Sequence, residues 1–403
     1  MRIRLFFNLF LMAVFLNASY ISAVAQPQEA VVEANNAFSF DLYAQLKKRD
    51  GNLFLSPFSI STALAMTYAG ARGNTASQMA AVLHFSLSQE KLHPAFFDLM
   101  QELKAEPQIS GFELSVANAL WGQAGYEFLP EFLEITQRYY EAGFKEVDFK
   151  TDAEAVRQII NKWVEEKTKD KIKELIMPGL LNTLTRLVLT NAIYFKGKWV
   201  AQFEKDKTKP EEFELLTGEK IEVPMMSQNA KFRYGENEIL QILEMPYVGE
   251  RLSMVILLPK KKKGIKQLEN GLNLNEVQKW LAMLRKQEVI VTIPKFKMTA
   301  EFRLNEALRS LGMRDAFDFV LADFSGMTPD PVGLYISAVI HKAFVEVNEE
   351  GTEAAAATAV LMVESAAISQ RPVVFYADHP FIFLIRDMQS GSILFIGRLM
   401  DPR

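Results

Sequence analysis

Cysteine is absent from all 403 residues. That excludes a disulfide framework, a thiolate metal site, a lipoprotein cysteine and a cysteine nucleophile, and leaves the fold to depend on its core. Histidine is scarce: there are four, His84, His93, His341 and His379, and no two stand at a zinc-type spacing such as His-Glu-x-x-His. No Gly-x-Ser-x-Gly elbow, phosphate-binding glycine loop or dinucleotide fingerprint occurs. Asp378-His379 invites a test as part of a triad, but a turn before Pro380 is the plainer reading of an isolated pair. The expectation is a protein that is not an enzyme, with no catalytic residues, no metal and no cofactor. Beyond residue 25 no stretch approaches 18 uninterrupted apolar residues, so no spanning helix is expected there. A basic surplus is lacking too, since 45 Lys and Arg against 49 Asp and Glu give a formal charge of −4. Neither nucleic acid nor an anionic membrane is indicated as a partner. The run Lys260-Lys261-Lys262-Lys263 after Pro259 reads as a solvated tip, with polyanion docking as the rarer alternative.

What is present is enough apolar sequence, 49% of the chain, to bury a large core. Met1 to Ala25 has the parts of a secretory leader: Arg2 and Arg4, an apolar stretch from Leu5 to Leu16, and Ala23-Val24-Ala25 as a small-x-small cleavage site before Gln26. The expectation is therefore a secreted, extracellular protein, or a periplasmic one in a Gram-negative bacterium, whose residues 26–403 form a single domain. Apolar residues every fourth position from Val31 to Lys48 predict an amphipathic helix, and the nearly all-apolar Ile60 to Ala71 predicts a buried one. Helices are also predicted after Asn74-Thr75, at Phe96 to Leu103, Asp152 to Thr168, Leu274 to Leu284 and Leu304 to Leu311. Strands are predicted at Leu53-Phe54-Leu55, Phe112 to Leu120, Leu187 to Phe195 with a turn at Lys196-Gly197-Lys198-Trp199, Ile239 to Met245, Leu252 to Leu258 and Val289 to Phe296. Helices crowd the first half and strands the second, with no linker of Pro, Gly and Ser and no repeat, which favours one interleaved α+β domain.

The stretch from Val345 to Pro372 reads two ways. Ala354-Ala355-Ala356-Ala357 is helix-forming composition, yet every second residue from Thr352 to Met362 is small or apolar, which is the period of a strand. As a strand it turns Thr352, Ala354, Ala356, Thr358, Val360 and Met362 to one face, and the only charge between Thr352 and Val363, Glu353, lies on the other. A segment that suits both an exposed loop and a buried strand is a candidate switch. Glu349, Glu350, Gly351, Thr352, Glu353, Ala354, Ala355, Ala356, Ala357 and Thr358 resemble the reactive-centre-loop hinge of inhibitory serpins. Ala377 to Ile385 and Gly391 to Leu399 resemble the closing strands of that family, and Leu53 to Ile60, Asn161 to Thr168 and Thr190 to Trp199 resemble its earlier landmarks in the same order.

The resemblance implies a serpin-like α+β fold, helices packed on three β-sheets with an exposed loop at about 349–372. It implies a monomeric inhibitor whose partner is a target protease, serine or cysteine, held as a covalent acyl-enzyme while the loop inserts into the central sheet. It places the reactive bond at Ser365 and Ala366, suiting an elastase-like pocket. Glu364, Met362 and Leu361 are the alternatives. It implies a shutter of Ser56, Ser59, Asn191 and His341 where the central strands part, and a breach of Trp199, Lys295 and Glu349 at the top of the sheet. A non-inhibitory carrier or chaperone of the same fold is the alternative function, and charged or bulky inward loop residues are its usual sign.

Overall fold

The computed structural model describes residues 26–104, 112–141, 143–352 and 372–403. Its first part holds α1 (Pro27–Leu46), β1 (Leu53–Leu55), α2 (Pro57–Tyr68), α3 (Gly73–Val82), α4 (Gln89–Leu103), β2 (Phe112–Gln123), α5 (Pro130–Tyr140), β3 (Phe144–Val147), α6 (Phe149–Lys167) and β4 (Leu187–Lys198). There follow β5 (Lys209–Glu214), β6 (Lys220–Glu236), β7 (Leu240–Pro246), β8 (Leu252–Pro259), α7 (Ile265–Gly271), α8 (Leu274–Ala282), β9 (Arg285–Pro294), β10 (Phe296–Arg303) and α9 (Asn305–Leu311). The chain closes through β11 (Ile336–Asn348), β12 (Gly351–Thr352), β13 (Val373–Tyr376), β14 (Phe381–Asp387) and β15 (Ile393–Leu399). The architecture is α+β, with helices packed on β-sheets.

Local chemistry sets the elements that position the site. Ser56 caps α2 by accepting from the Ser59 N–H, and Pro57 supplies a first helical residue with φ already fixed. Every residue of α2 is buried, as an all-apolar helix must be. Asp148 caps α6 by accepting from the Lys150 and Thr151 N–H groups, and Val156, Ile160 and Val164 give it one buried stripe.

Nine strands form one sheet, ordered β1-β15-β14-β8-β7-β6-β9-β13 with β5 added beside β6. β6 pairs with β5 through its first residues, with β9 along its middle and with β7 at its end, so its two arms are the second and third sheets of the expected layering. The remaining sheet is ordered β10-β11-β12-β4-β2-β3. In β4, Leu187, Leu189, Ile193 and Phe195 enter the main core with α1, α2 and the nine-stranded sheet, while Val188, Ala192 and Tyr194 enter a second core under α6. A strand covered on both faces loses the simple alternation of a half-exposed one.

Two strands differ from the sequence expectation. β11 was not foreseen because almost all of it is buried on both faces, and β4 does not turn at Lys196 but runs on to Lys198, where β2 and β12 pair with it. Gly197 makes the extension possible, since a Cβ there would stand 2.7 Å from the Tyr247 ring and 2.8 Å from Phe195. Also unforeseen were the helix α5, which buries Phe132, Thr136 and Tyr140, and the four-residue strand β3.

Candidate functional site

β4 and β11 lie side by side in parallel from Leu187–Ile336 to Tyr194–Phe344. Each has an antiparallel neighbour on its other side, β2 and β10. Above Tyr194 the two strands diverge, and β12 occupies the gap: Thr352 pairs with Gly197 on β4 and with Val347 on β11, antiparallel to both. The six-stranded sheet therefore already holds the first two residues of an additional strand. This revises the loop boundary, because Gly351 and Thr352 are buried in the sheet and Glu349 is buried in the turn before them, not exposed on a loop. Gly351 has φ 152°, and a Cβ there would run into the Gly197 carbonyl, so only glycine lets the chain enter at this point.

Side chains hold this entry in place. The Thr352 hydroxyl lies 2.9 Å from the Tyr247 hydroxyl. Tyr247 stacks on Trp199 with ring centroids 4.5 Å apart, and the Trp199 indole donates to the Asn348 carbonyl at 3.0 Å. The backbone of Trp199 donates to Glu350, and that of Phe203 to Glu349. Lys295 reaches Glu349 at 3.0 Å, Thr208 donates to the same carboxylate at 3.0 Å, and Lys205 meets Glu350 at 2.8 Å. Burial acts to raise the Glu349 pKa, but its own backbone N–H, Lys295 and Thr208 outweigh that and hold it below the usual value. Trp199, Lys295 and Glu349 thus form one cluster around the foot of the hinge. Tyr247 was missing from the sequence reading, and a lone tyrosine after Met245-Pro246 gives no hint that it lies beneath Gly197.

Ser56, Ser59, Asn191 and His341 also converge, lower down, where β4 and β11 touch. His341 and Asn191 are directly opposite across the parallel pair, and His341 Nδ1 meets Asn191 Oδ1. His341 Nε2 accepts from the Ser56 N–H at 3.1 Å, so the proton is on Nδ1 and the imidazole is neutral. The Asn191 amide donates to Ser59 Oγ at 2.6 Å and to Asn118 Oδ1. Ser59 donates to Asn118 Oδ1 at 3.0 Å, and Ser56 donates to the Leu394 carbonyl at 2.7 Å. Asn118 is a fifth member that sequence reasoning missed. An asparagine between two alanines in the middle of the predicted strand Phe112 to Leu120 was the available signal. Leaving one of these buried groups unpaired costs ~1–3 kcal/mol.

Burial lowers the pKa of His341 to about 3, and burial followed by the nearby Arg72 charge lowers that of His93 to about 4. Both folded values lie below the ordinary value near 6.5, so the unfolded chain takes up protons that the native chain refuses. Stability is expected to be fully present above pH ~6.5 and to fall as pH drops towards 3, at up to ~1.4 kcal/mol per pH unit for each histidine. Denaturant midpoints between pH 7 and pH 5 test this. His341→Gln should flatten the slope, and a slope unchanged by that substitution would remove His341 as its source.

Asp378-His379 serves no triad. His379 Nδ1 faces Asp378 at 2.7 Å and Nε2 faces the Pro259 carbonyl at 2.7 Å, so both nitrogens are engaged. In the basic run, Lys260 pairs with Glu236, and Lys262 with Asp378 and Glu214. Hinge residues 353–358 and the reactive-bond candidates Leu361, Met362, Glu364, Ser365 and Ala366 lie outside the described residues, as does the leader-like segment 1–25.

A family profile described as "Serpin (serine protease inhibitor)" matches residues 33–402. An uncharacterized serpin-like protein of Thermococcus kodakarensis is 46% identical, with 93% of this chain matching 87% of that one. The leukocyte elastase inhibitor of Homo sapiens is 44% identical, with 93% of this chain matching all of it. Among solved structures, uncleaved ovalbumin superimposes with a TM-score of 0.84 at 29% identity, covering 93% of this chain and 100% of that one. The human protein also corrects the expected localisation. Its whole length is matched without calling on a leader, so the placement outside the cell, extracellular or periplasmic, which depended on the leader alone, does not stand. The family profile and the relatives matched over most or all of their length show that the chain belongs to the serpin family, the serine protease inhibitors.

Proposed function

We propose that this chain, as one domain over residues 26–403, inhibits serine endopeptidases as a suicide substrate and is itself no enzyme. The target's serine hydroxyl attacks the carbonyl of the reactive-bond residue. The peptide C–N bond breaks, the leaving amine takes the proton, and an ester joins the two proteins. The segment released on the amino side then continues β12 downward between β4 and β11, carrying the protease with it. At ~3.3 Å per residue, the 14 positions from Thr352 to Ser365 span ~45 Å. In this reading Trp199, Lys295 and Glu349 fix the point of entry, and Ser56, Ser59, Asn118, Asn191 and His341 form the polar seam that opens.

One observation carries the reading: Gly351 and Thr352 are paired as the start of an antiparallel strand in the same gap that the parallel pair closes below them. No observation favours a carrier or chaperone, because the positions sharing the face of Thr352 down to Met362 bear no charge. The reactive bond is placed at Ser365-Ala366, for an elastase-like enzyme. The test is to incubate the protein with pancreatic elastase, chymotrypsin, trypsin and subtilisin. An SDS-resistant complex is expected, with a new amino terminus at Ala366. A terminus at Ser365, Val363 or Met362 would move the bond to Glu364, Met362 or Leu361. Complete turnover by every enzyme, with no complex, would overturn the proposal.

A further inference from the structure

Where β4 and β11 begin, at the end of the six-stranded sheet opposite Thr352, the surface encloses a cavity of about 510 Å³, within the size range of small-molecule sites. One wall is the connector leading into β4, with Asn182 and Thr185. The other is built from the end of β10, from α9 and from the start of β11, with Arg303, Arg309 and Ser337.

The polar groups on these walls are mostly donors. Arg303 is exposed and has no carboxylate partner among the described residues; Glu301, two residues back on β10, is held by Lys342 at 3.1 Å. Arg309 spends one nitrogen on the Phe317 carbonyl at 3.0 Å and meets Glu306 only at 3.7 Å. The Thr185 hydroxyl, in a residue 4% exposed, accepts from the Asn182 N–H at 3.0 Å, and the Ser337 hydroxyl accepts from the Arg186 N–H at 2.9 Å. Neither hydroxyl has an acceptor for its own proton among the described residues, so each can still donate. Ser337 is also set apart by a break in the ladder. Ile336 pairs with Leu187 and Ala338 with Val188, which leaves Ser337 as the extra residue of a bulge, a device that re-aims a side chain beside a site.

The charge balance and the remaining lining say what fits. Among the described lining residues Glu306 is the one carboxylate, and its side chain is 86% exposed. Two guanidiniums against one carboxylate leave a single positive charge. Leu180, Phe317 and Ile336 make the apolar part of the lining, which a bare inorganic anion would not use. A phosphate monoester would bring two charges to balance one. A small carboxylate with a short apolar body matches all three features, and a guanidinium fork receives its two oxygens together.

The two walls belong to different strands. Asn182 and Thr185 move with β4, whereas Arg303, Arg309 and Ser337 move with β10 and β11. They are already clasped by the Arg186–Ser337 bond and by the Tyr335 hydroxyl, which donates to the Leu184 carbonyl at 3.2 Å. A ligand held by both walls strengthens that clasp.

We propose that this cavity binds a small organic carboxylate with a short apolar body, which ties the β4 wall to the β11 wall and so opposes the parting of the two strands. The site stands on the cavity and its donors, and the opposing role rests on the inhibitory reading above. Octanoate is the probe, titrated calorimetrically into the full chain, with octylamine as the same body of opposite charge. Arg303→Gln removes one guanidinium from an exposed position. Octanoate is expected to bind once per chain, octylamine not to bind, and Arg303→Gln to weaken octanoate about tenfold or more, the size of a lost charge-assisted hydrogen bond. With saturating octanoate, the number of inhibitor molecules consumed per pancreatic elastase inactivated, or per chymotrypsin if that is the enzyme trapped, should rise about twofold or more, since a ligand of the closed sheet biases it by mass action. Arg303→Gln at the same octanoate concentration should show no such rise, which sets aside any effect of octanoate on the protease. Absence of saturable binding, equal binding of octylamine, or undiminished binding by Arg303→Gln overturns the site. Binding with unchanged consumption of inhibitor overturns the opposing role. Failure of the unsubstituted protein to form any complex overturns the inhibitory reading and the opposing role with it, while the octanoate titration still decides the site.

Discussion

Thr352→Arg is expected to turn the inhibitor into a substrate. Thr352 is fully buried, its hydroxyl is 2.9 Å from that of Tyr247, and Tyr247 is held by stacking on Trp199. Burial pushes the Tyr247 phenol pKa well up, with the Thr352 hydrogen bond opposing, so the phenol stays neutral and offers no charge to pair with a guanidinium. An uncompensated buried charge costs ~3–5 kcal/mol. The intact protein can escape that cost by leaving β12 unpaired, because β4 and β11 need only two residues of it. The cleaved protein cannot, since the residues that follow can pair as a strand only if residue 352 takes its place at the top of it. Insertion is slowed relative to hydrolysis of the ester, and the number of inhibitor molecules consumed per protease inactivated should rise at least about tenfold, well within what ~3 kcal/mol allows. Thr352→Ser keeps the hydroxyl and should behave as the unsubstituted protein does. Titration of residual protease activity, with SDS gels for the complex, reads both. An undiminished yield of SDS-resistant complex from the arginine variant would mean that the segment does not enter the sheet at Thr352.

Much of this was legible in the sequence, for a physical reason in each case. Gly351-Thr352-Glu353 followed by four alanines was read as a hinge through a family resemblance, and the alternation of small residues put Thr352 on an inward face, where it is buried. α2 was legible because an all-apolar helix has only the interior to occupy, and its capping serine follows from Ser56-Pro57. The convergence of Ser56, Ser59, Asn191 and His341 was named from a family resemblance, and composition alone would not have brought together residues up to 285 positions apart, as Ser56 and His341 are. Tyr247 escaped because nothing local marks it, and Asn118 because its one local signal, an amide between two alanines of a strand, does not say what it meets. Each matters through what lies across a strand or beneath a glycine, and those neighbours are set by register, not by sequence distance. β11 escaped because both of its faces are covered and the two-residue period is blurred. The leader was legible as a composition, but composition does not decide destination, and a relative matched over its full length without it removed that inference.

Clipping the reactive bond should raise the melting temperature by an amount that few single substitutions approach. In the intact protein β4 and β11 are joined in parallel from Leu187 to Tyr194 and from Ile336 to Phe344. Insertion exchanges that one ladder for two antiparallel ladders, the stronger kind per residue, and it buries the face of Ala354, Ala356, Thr358, Val360 and Met362 against the core. At the seam the register brings Thr358 level with both Asn191 and His341, and a hydroxyl can accept the imidazole N–H while donating to the amide oxygen, so the broken pair is bridged and no buried donor is orphaned. Ordering the segment costs ~1–2 kcal/mol per residue, which an intact chain cannot recover because both ends of the loop are anchored. Once cut, a net gain of one ladder at ~1 kcal/mol per bond, together with the buried apolar face, offsets that cost. Any surplus appears as a rise in melting temperature, at less than the ~2–4 °C per kcal/mol of domains of 150–250 residues. Calorimetry of intact and clipped protein at pH 7, above the window in which His341 and His93 weaken the native state, gives the comparison directly. Coincident melting curves would mean that cleavage releases nothing, and a protein that releases nothing on cleavage has no means of distorting the protease that cut it.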